Sequence, residues 1–396
     1  MRIKNLTVVG IGVCLLLVFM AGSAAAQGKR VIRRPGQSPN GFLSPAVAAG
    51  DFIYLSGSLA GGDDIDAQTR GVLDNLGEVL ELAGVGYDRV ASATVYLTDP
   101  ANFQGMNGVF REYFPTDPPV RTTVRTDLAR EGGLVEISLI AIRNGAERTV
   151  LRPDGWPDTA PYSYGIKSGD TVFLPGLLGR NYADGSTADG GIQGETRAIF
   201  ENARQILALA DMTLDDVVQS RVFITDTALF RDMNSAYSEH FSEIPPARAT
   251  VRADLMGPGL NLEITMVAVA GDKERITRPN ADGTPGRLSS TLSQGVRVGN
   301  RLYLSGMLGV NDETRNSTEA QSRQTLATIG RTLEVAGFGV EDLVQGIVYL
   351  TDMSEWGEMN TAYREVITVD APTRAAIGTG LMSGDGRVEI MFTAVR

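Results

Sequence analysis

The chain has 396 residues, a formal net charge of −11, one cysteine and one histidine. Such acidity leaves no basic excess to neutralise phosphates, which argues against a nucleic-acid partner. With so few thiol and imidazole groups, a His/Cys zinc site, a disulfide framework and a repeated histidine-based triad are all excluded.

The N-terminus carries Arg2 and Lys4, an apolar run from Leu6 to Gly22, and then Ala24-Ala25-Ala26. A short apolar run between basic and small residues reads as a cleavable secretory signal over residues 1–26, so export to the periplasm or the medium is expected. No stable membrane span is expected after cleavage, because the run is short for a span. Cys14 falls inside it, so the mature chain has no thiol nucleophile.

The remainder repeats itself three times, as residues 27–145, 146–271 and 272–396. Each unit opens with a basic, strand-like run: Val31-Ile32-Arg33-Arg34-Pro35, Thr149-Val150-Leu151-Arg152-Pro153 and Arg275-Ile276-Thr277-Arg278-Pro279. Turn-rich segments lead to a second strand, which ends in Ser56-Gly57, Pro175-Gly176 and Ser305-Gly306. A loop of varying length then reaches a helix. In the first unit its stripe is Val72, Leu73, Leu76, Val79, Leu80 and Ala83, closed by Gly84. A third strand ends at Asp99, Asp226 and Asp352. A second helix carries Asn107, Asn234 and Asn360. Next come the Pro-x-Arg strands with Arg121, Arg248 and Arg374, and last the strands bearing Glu136, Glu263 and Glu389. Arginine precedes glutamate by the same interval each time, whereas Gly57–Arg70, Gly176–Arg197 and Gly306–Arg323 differ in length, as loops at a pocket rim do.

Each unit therefore reads β-β-α-β-α-β-β, an α+β sheet with helices on one face. Several strands are apolar on both sides. The face without helices is best buried against the other units, which predicts a compact three-unit pseudo-ring. Glu136 alternates with Val135, Ile137 and Leu139 and so lies on the face opposite that apolar row. There it needs a partner, and an arginine of the Pro-x-Arg set is the obvious one, on a neighbouring strand. Arg70, Arg197 and Arg323 and the strand-ending aspartates recur as regularly and read as ion pairs and caps. His240 has Tyr113 and Val366 at the matching places and reads as an ordinary helix-surface residue.

This ordered set resembles the RidA/YjgF family, the reactive-intermediate deaminases. The resemblance rests on Ser-Gly after the second strand, Gln68-Thr69-Arg70 and Gln321-Ser322-Arg323, the helix asparagine, Pro-x-Arg and Glu-Ile. It implies three tandem chorismate-mutase-like domains forming an intramolecular pseudo-trimer: a monomer, needing no cofactor, with sites in the clefts between units. It also implies hydrolysis of amino-acid-derived enamines and imines to 2-oxo acids and ammonia, with a small-molecule carboxylate as partner. On that reading Arg121, Arg248 and Arg374 grip the carboxylate, and Glu136, Glu263 and Glu389 activate water. Backbone N–H groups at Gly57, Gly176 and Gly306 help hold the substrate, with Ser56, Ser305 and the three asparagines lining the pocket. The family's tyrosine, seven residues before the turn glycine, is matched by Tyr162, while Leu43 and Leu292 stand at that place in the other units. Because each cleft draws on two units, a cleft combining Tyr162 with a serine is compatible with the sequence. A carboxylate-binding or protein-interaction role on the same scaffold is the alternative.

Overall fold

The computed structural model describes residues 28–38, 42–158, 160–280 and 282–396, so the expected signal segment lies outside the described residues. Among the described residues there are three sheets, one per unit. In each, a central strand (Val90–Leu97, Val217–Ile224, Leu343–Leu350) lies between the glutamate strand and the arginine strand. The glutamate strands are Val135–Ile142, Leu262–Val269 and Val388–Val395. The arginine strands, Val120–Arg125, Ala247–Arg252 and Thr373–Gly378, run parallel to the central strands. Two helices cover one face: Ile65–Leu82 and Phe103–Tyr113 in the first unit, Gly191–Ala208 and Phe230–Tyr237 in the second, Thr318–Val335 and Trp356–Val366 in the third.

The fold adds a strand that the periodicity did not reveal. Ala46–Ala49, Gly165–Ser168 and Gly295–Val298 form hairpins with the strands that follow them. Gly50, Gly169 and Gly299 turn each hairpin with φ of +55°, +56° and +56°, a conformation that glycine reaches without strain. The runs are four residues long, Ala-Val-Ala-Ala, Gly-Ile-Lys-Ser and Gly-Val-Arg-Val, too short to show an alternation, which is why these segments read as loop.

The units close on one another in a cycle. The first sheet gains Asp254–Leu255 from the second unit, the second gains Gly380–Leu381 from the third, and the third gains Asp127–Leu128 from the first. The inner faces meet in one core containing Tyr96 and Val124, Phe223 and Val251, and Tyr349 and Ile377, drawn from all three units. Tyr96, Phe223 and Tyr349 are fully buried there, and burial of the Phe223 ring contributes about 2–3 kcal/mol. This is the pseudo-ring expected from two-sided apolar strands.

The regular polar features outside the strands are structural. Asp99, Asp226 and Asp352 cap the short helical turns after the central strands. Arg70, Arg197 and Arg323 pair with Glu112, Glu239 and Glu365 on the surface.

Candidate active site

Strand parity decides where the arginines and glutamates point. Arg121 pairs in register with Ala93, whose neighbour across the sheet is Leu139, and both of these belong to the core beneath the helices. Glu136 pairs with Tyr96, which belongs to the inner core shared by the units. Arg121 and Glu136 therefore leave opposite faces of one sheet, separated by the central strand. Neighbouring strands and a pairing within one unit are both ruled out.

Each arginine instead meets the glutamate of another unit. The Gly176 N–H donates to the Arg121 carbonyl, Gly306 to Arg248 and Gly57 to Arg374, all at 3.1 Å. Each glycine sits beside its own unit's glutamate. A Cβ on Gly57, Gly176 or Gly306 would lie 1.9, 1.8 or 1.8 Å from Oε1 of Glu136, Glu263 or Glu389. Only glycine lets the carboxyl group approach so closely. Three clefts result: Arg121 with Glu263, Arg248 with Glu389, and Arg374 with Glu136. Further inter-unit bonds seat them, from the Ser163 N–H to the Pro119 carbonyl at 3.1 Å, Ser293 to Pro246 at 3.2 Å and Ser44 to Pro372 at 3.1 Å.

The glycine N–H groups are thus committed to arginine carbonyl oxygens and are not substrate donors, contrary to the sequence expectation. The serines serve the same seam. Ser305 Oγ accepts from the Arg248 N–H at 2.7 Å and donates to the Ser293 carbonyl at 2.5 Å. Ser56 does likewise for the Arg374 N–H at 2.9 Å, donating to the Ser44 carbonyl at 2.7 Å. Pro175 removes this bridge from the cleft of Arg121. Tyr162 lies in that same cleft, 5.9 Å from the Arg121 guanidinium carbon. A cleft joining Tyr162 to a serine does not form, because both serines belong to the other two clefts.

The guanidiniums rest on aromatic rings of the short helices. Arg121 lies 4.9 Å from Phe110 and 5.7 Å from Phe103. Arg248 lies 4.6 Å from Tyr237 and 5.9 Å from Phe230, and Arg374 4.8 Å from Tyr363 and 6.0 Å from Trp356. These rings flank the helix asparagine at fixed offsets, a repeated pattern that the sequence reading missed. Asn360 Oδ1 accepts from Arg374 Nη1 at 2.8 Å. Nη1 of Arg121 and of Arg248 is buried without a hydrogen-bond partner, as are the Oδ1 atoms of Asn107 and Asn234.

The arginines and glutamates are almost wholly buried, at 3–4% exposure. Among the described residues no cleft closes into an ion pair within 4.0 Å. Burial pushes all three glutamates up to about 8, opposed by the facing arginine. For Glu263 the Thr123 N–H and the guanidiniums of Arg121, Arg180 and Arg221 also oppose the shift. Burial lowers Arg121 to about 10 and pushes Arg248 and Arg374 down as well. A cationic fork, with an unpaired Nη1 in Arg121 and Arg248, therefore faces a carboxyl group able both to donate and to accept a proton near neutrality. That arrangement can hold a carboxylate and move a proton at a neighbouring atom.

His240 is half-buried rather than on the open surface. Its ring lies 4.4 Å from Phe200, its Nδ1 is 3.1 Å from Arg204, and burial with that guanidinium lowers it to about 4. It belongs to none of the clefts.

A family model described as endoribonuclease L-PSP matches the chain three times, over residues 34–143, 156–270 and 287–396. A RutC family protein of Sulfurisphaera tokodaii is 33% identical over 123 residues, 31% of this chain and 98% of that protein. RidA from an Antarctic Psychrobacter species is 30% identical, with a TM-score of 0.30 over 31% of this chain and all of that one. A chorismatase structure is 15% identical, with a TM-score of 0.52 over 78% of this chain and 94% of that one, a likeness of fold alone.

Proposed function

Since the chain belongs to the endoribonuclease L-PSP family, the RidA/YjgF proteins, we propose that it hydrolyses small amino-acid-derived enamines and imines to 2-oxo acids and ammonia. The observation that carries this reading is the juxtaposition in each cleft: a buried, ring-supported guanidinium from one unit facing a buried carboxyl group from the next, with no ion pair between them. The guanidinium takes the substrate carboxylate through two parallel hydrogen bonds, which fixes C2 near the glutamate. Water attacks C2 and gives a proton to the glutamate carboxylate, and the imine nitrogen gains a proton. The resulting carbinolamine collapses: its hydroxyl proton passes to nitrogen, the C–N bond breaks, ammonia leaves and the C2 oxygen becomes the 2-oxo group. An enamine first takes a proton on its β-carbon, for which a glutamic acid still protonated near pH 7 is suited.

All three clefts arise within one chain, so a monomer suffices. The proposal includes export through a cleavable signal over residues 1–26, checked by N-terminal sequencing of protein from an extracytoplasmic fraction. RNA cleavage, which the family's name mentions, finds no support in an acidic chain whose single histidine is outside the clefts.

The test is ammonia release from freshly generated 2-imino acids. Wild type should accelerate release, and Arg121→Ala with Arg248→Ala and Arg374→Ala together should abolish the acceleration. Wild-type release no faster than buffer, across several imino acids, would overturn the proposal.

A further inference from the structure

One cleft differs from the other two in the guanidiniums that act on its glutamate: Arg180 and Arg221 join the facing Arg121 at Glu263, whereas Glu136 and Glu389 feel the facing arginine. Leu178 and Leu308 stand in register with Glu263 and Glu389. Two residues further on, the second unit has Arg180 and the third Val310; the first has Gly61 at the matching distance from its glycine turn. At the next alternate position Tyr182 stands where the others have Asp63 and Asp312.

The surroundings hold Arg180 towards this cleft. Its carbonyl accepts from Asn202 Nδ2 at 2.7 Å. Its guanidinium lies 5.5 Å from the Tyr182 ring, and the Tyr182 hydroxyl accepts from the Leu178 N–H at 3.1 Å, beside Glu263. Tyr182 stacks on Trp156 at 4.7 Å and meets Tyr164 edge-on at 5.5 Å, and Tyr164 meets Tyr162 at 5.8 Å. Tyr162 in turn neighbours Arg121. This run of rings connects the two guanidiniums along one wall. Arg121 and Glu263 lie buried within, while Tyr162 and Arg180 are half-buried at the rim. Among the described residues Arg180 forms no ion pair, and its buried Nε has no hydrogen-bond partner, like Arg121 Nη1. Both guanidiniums draw Glu263 and Tyr162 towards their charged forms. Arg121 and Arg180 thus flank one carboxyl group from the two ends of this wall, with Arg221 acting on it as well, which leaves room for more negative charge than a monocarboxylate brings.

Resting on the carboxylate-gripping role of Arg121 proposed above, we infer that the cleft between the first and second units selects dicarboxylates: 2-imino acids with a second carboxylate on the side chain. The C1 carboxylate sits on Arg121 and the distal one on Arg180. The cleft of Arg248 has valine at that position, and in the cleft of Arg374 the cation beside Gly61 is the exposed Arg130 rather than a half-buried one; neither has such a preference.

The experiment is calorimetric titration of the full chain with 2-oxobutyrate and with 2-oxoglutarate, stable analogues differing by the distal carboxylate. A hydrogen-bonded charge pair predicts about tenfold tighter binding of 2-oxoglutarate at one site. Arg180→Gln should bring the ratio of the two affinities to about one. The reverse graft, Val310→Arg, should create a second site preferring 2-oxoglutarate. Equal wild-type affinities, or a ratio that Arg180→Gln leaves intact, would overturn the inference; so would a Val310→Arg chain with no second preference. Binding of 2-oxobutyrate that Arg121→Gln weakens, with no preference for 2-oxoglutarate, would refute the role of Arg180 alone. Silence from both ligands would overturn the Arg121 reading and the inference with it.

Discussion

The cleft holding Arg121 and Glu263 and the cleft holding Arg248 and Glu389 share one frame and differ at the rim. Both place a buried arginine on two aromatic rings, both have an asparagine with an unpaired oxygen, and both require a glycine beside the glutamate. The first has Pro175, Tyr162, Tyr182 and Arg180 where the second has Ser305, Leu292, Asp312 and Val310. A trimer of identical chains must carry the same rim three times. Joining three units in one chain removes that constraint, so the buried frame is kept while each rim diverges. On the proposed function, the comparison separates two kinds of chemistry: carboxylate capture, assigned to the shared frame, and selectivity, assigned to each rim.

The largest effect should come from removing the shared frame. Glu263→Gln is expected to lower turnover in its cleft by about 10²–10⁴-fold, with KM little changed, because a proton carrier is lost while the guanidinium stays. If Glu389→Gln gives the same fractional loss, the clefts contribute equally; a loss confined to Glu263 would make Tyr162 and its rim decisive. Steady-state ammonia release checks both.

Next comes Gly176→Ala. The added methyl group collides with the Glu263 carboxyl group, so about 1–3 kcal/mol of stability should be lost along with function in that cleft. Thermal unfolding and turnover measured together test it, and Gly306→Ala should behave alike.

A smaller effect concerns pH. The glutamates are raised to about 8 in the folded chain from an ordinary value of 4.5. Between those limits the folded state holds more protons than the unfolded one, so their contribution falls as pH rises from 4.5 and is lost on passing 8. The melting temperature of wild type, relative to the variant with all three glutamates changed to Gln, should therefore decline over that window and level off above it. A flat difference would contradict the assigned burial.

The smallest effect separates the rims. Ser305→Ala should cost about 1 kcal/mol by leaving the Arg248 N–H without its acceptor. Pro175→Ser, supplying that acceptor beside Arg121, should not destabilise. Chemical denaturation midpoints distinguish the two.

Much of this frame was legible in the sequence, because recurrence at fixed spacing marked the arginine, glutamate, asparagine and glycine positions together. Recurrence does not state which copy faces which. The trans pairing follows from strand order and parity, which place Arg121 and Glu136 on opposite faces. The glycine N–H groups looked like substrate donors because a sequence does not show that the seam between units already uses them. Arg180 and Tyr182 escaped notice for the opposite reason: they fall in the segment of varying length, and the other units have unlike residues at the matching places. The aromatic pairs Phe103/Phe110, Phe230/Tyr237 and Trp356/Tyr363 stand at constant offsets from the asparagine, a signal the sequence reading did not use.

The most direct measurement is a crystal structure of the chain soaked with 2-oxobutyrate. The carboxylate should sit on Arg121, Arg248 or Arg374, with C2 turned towards the glutamate of the adjoining unit. Clefts without ligand, each closed by a direct arginine–glutamate ion pair, would contradict the account.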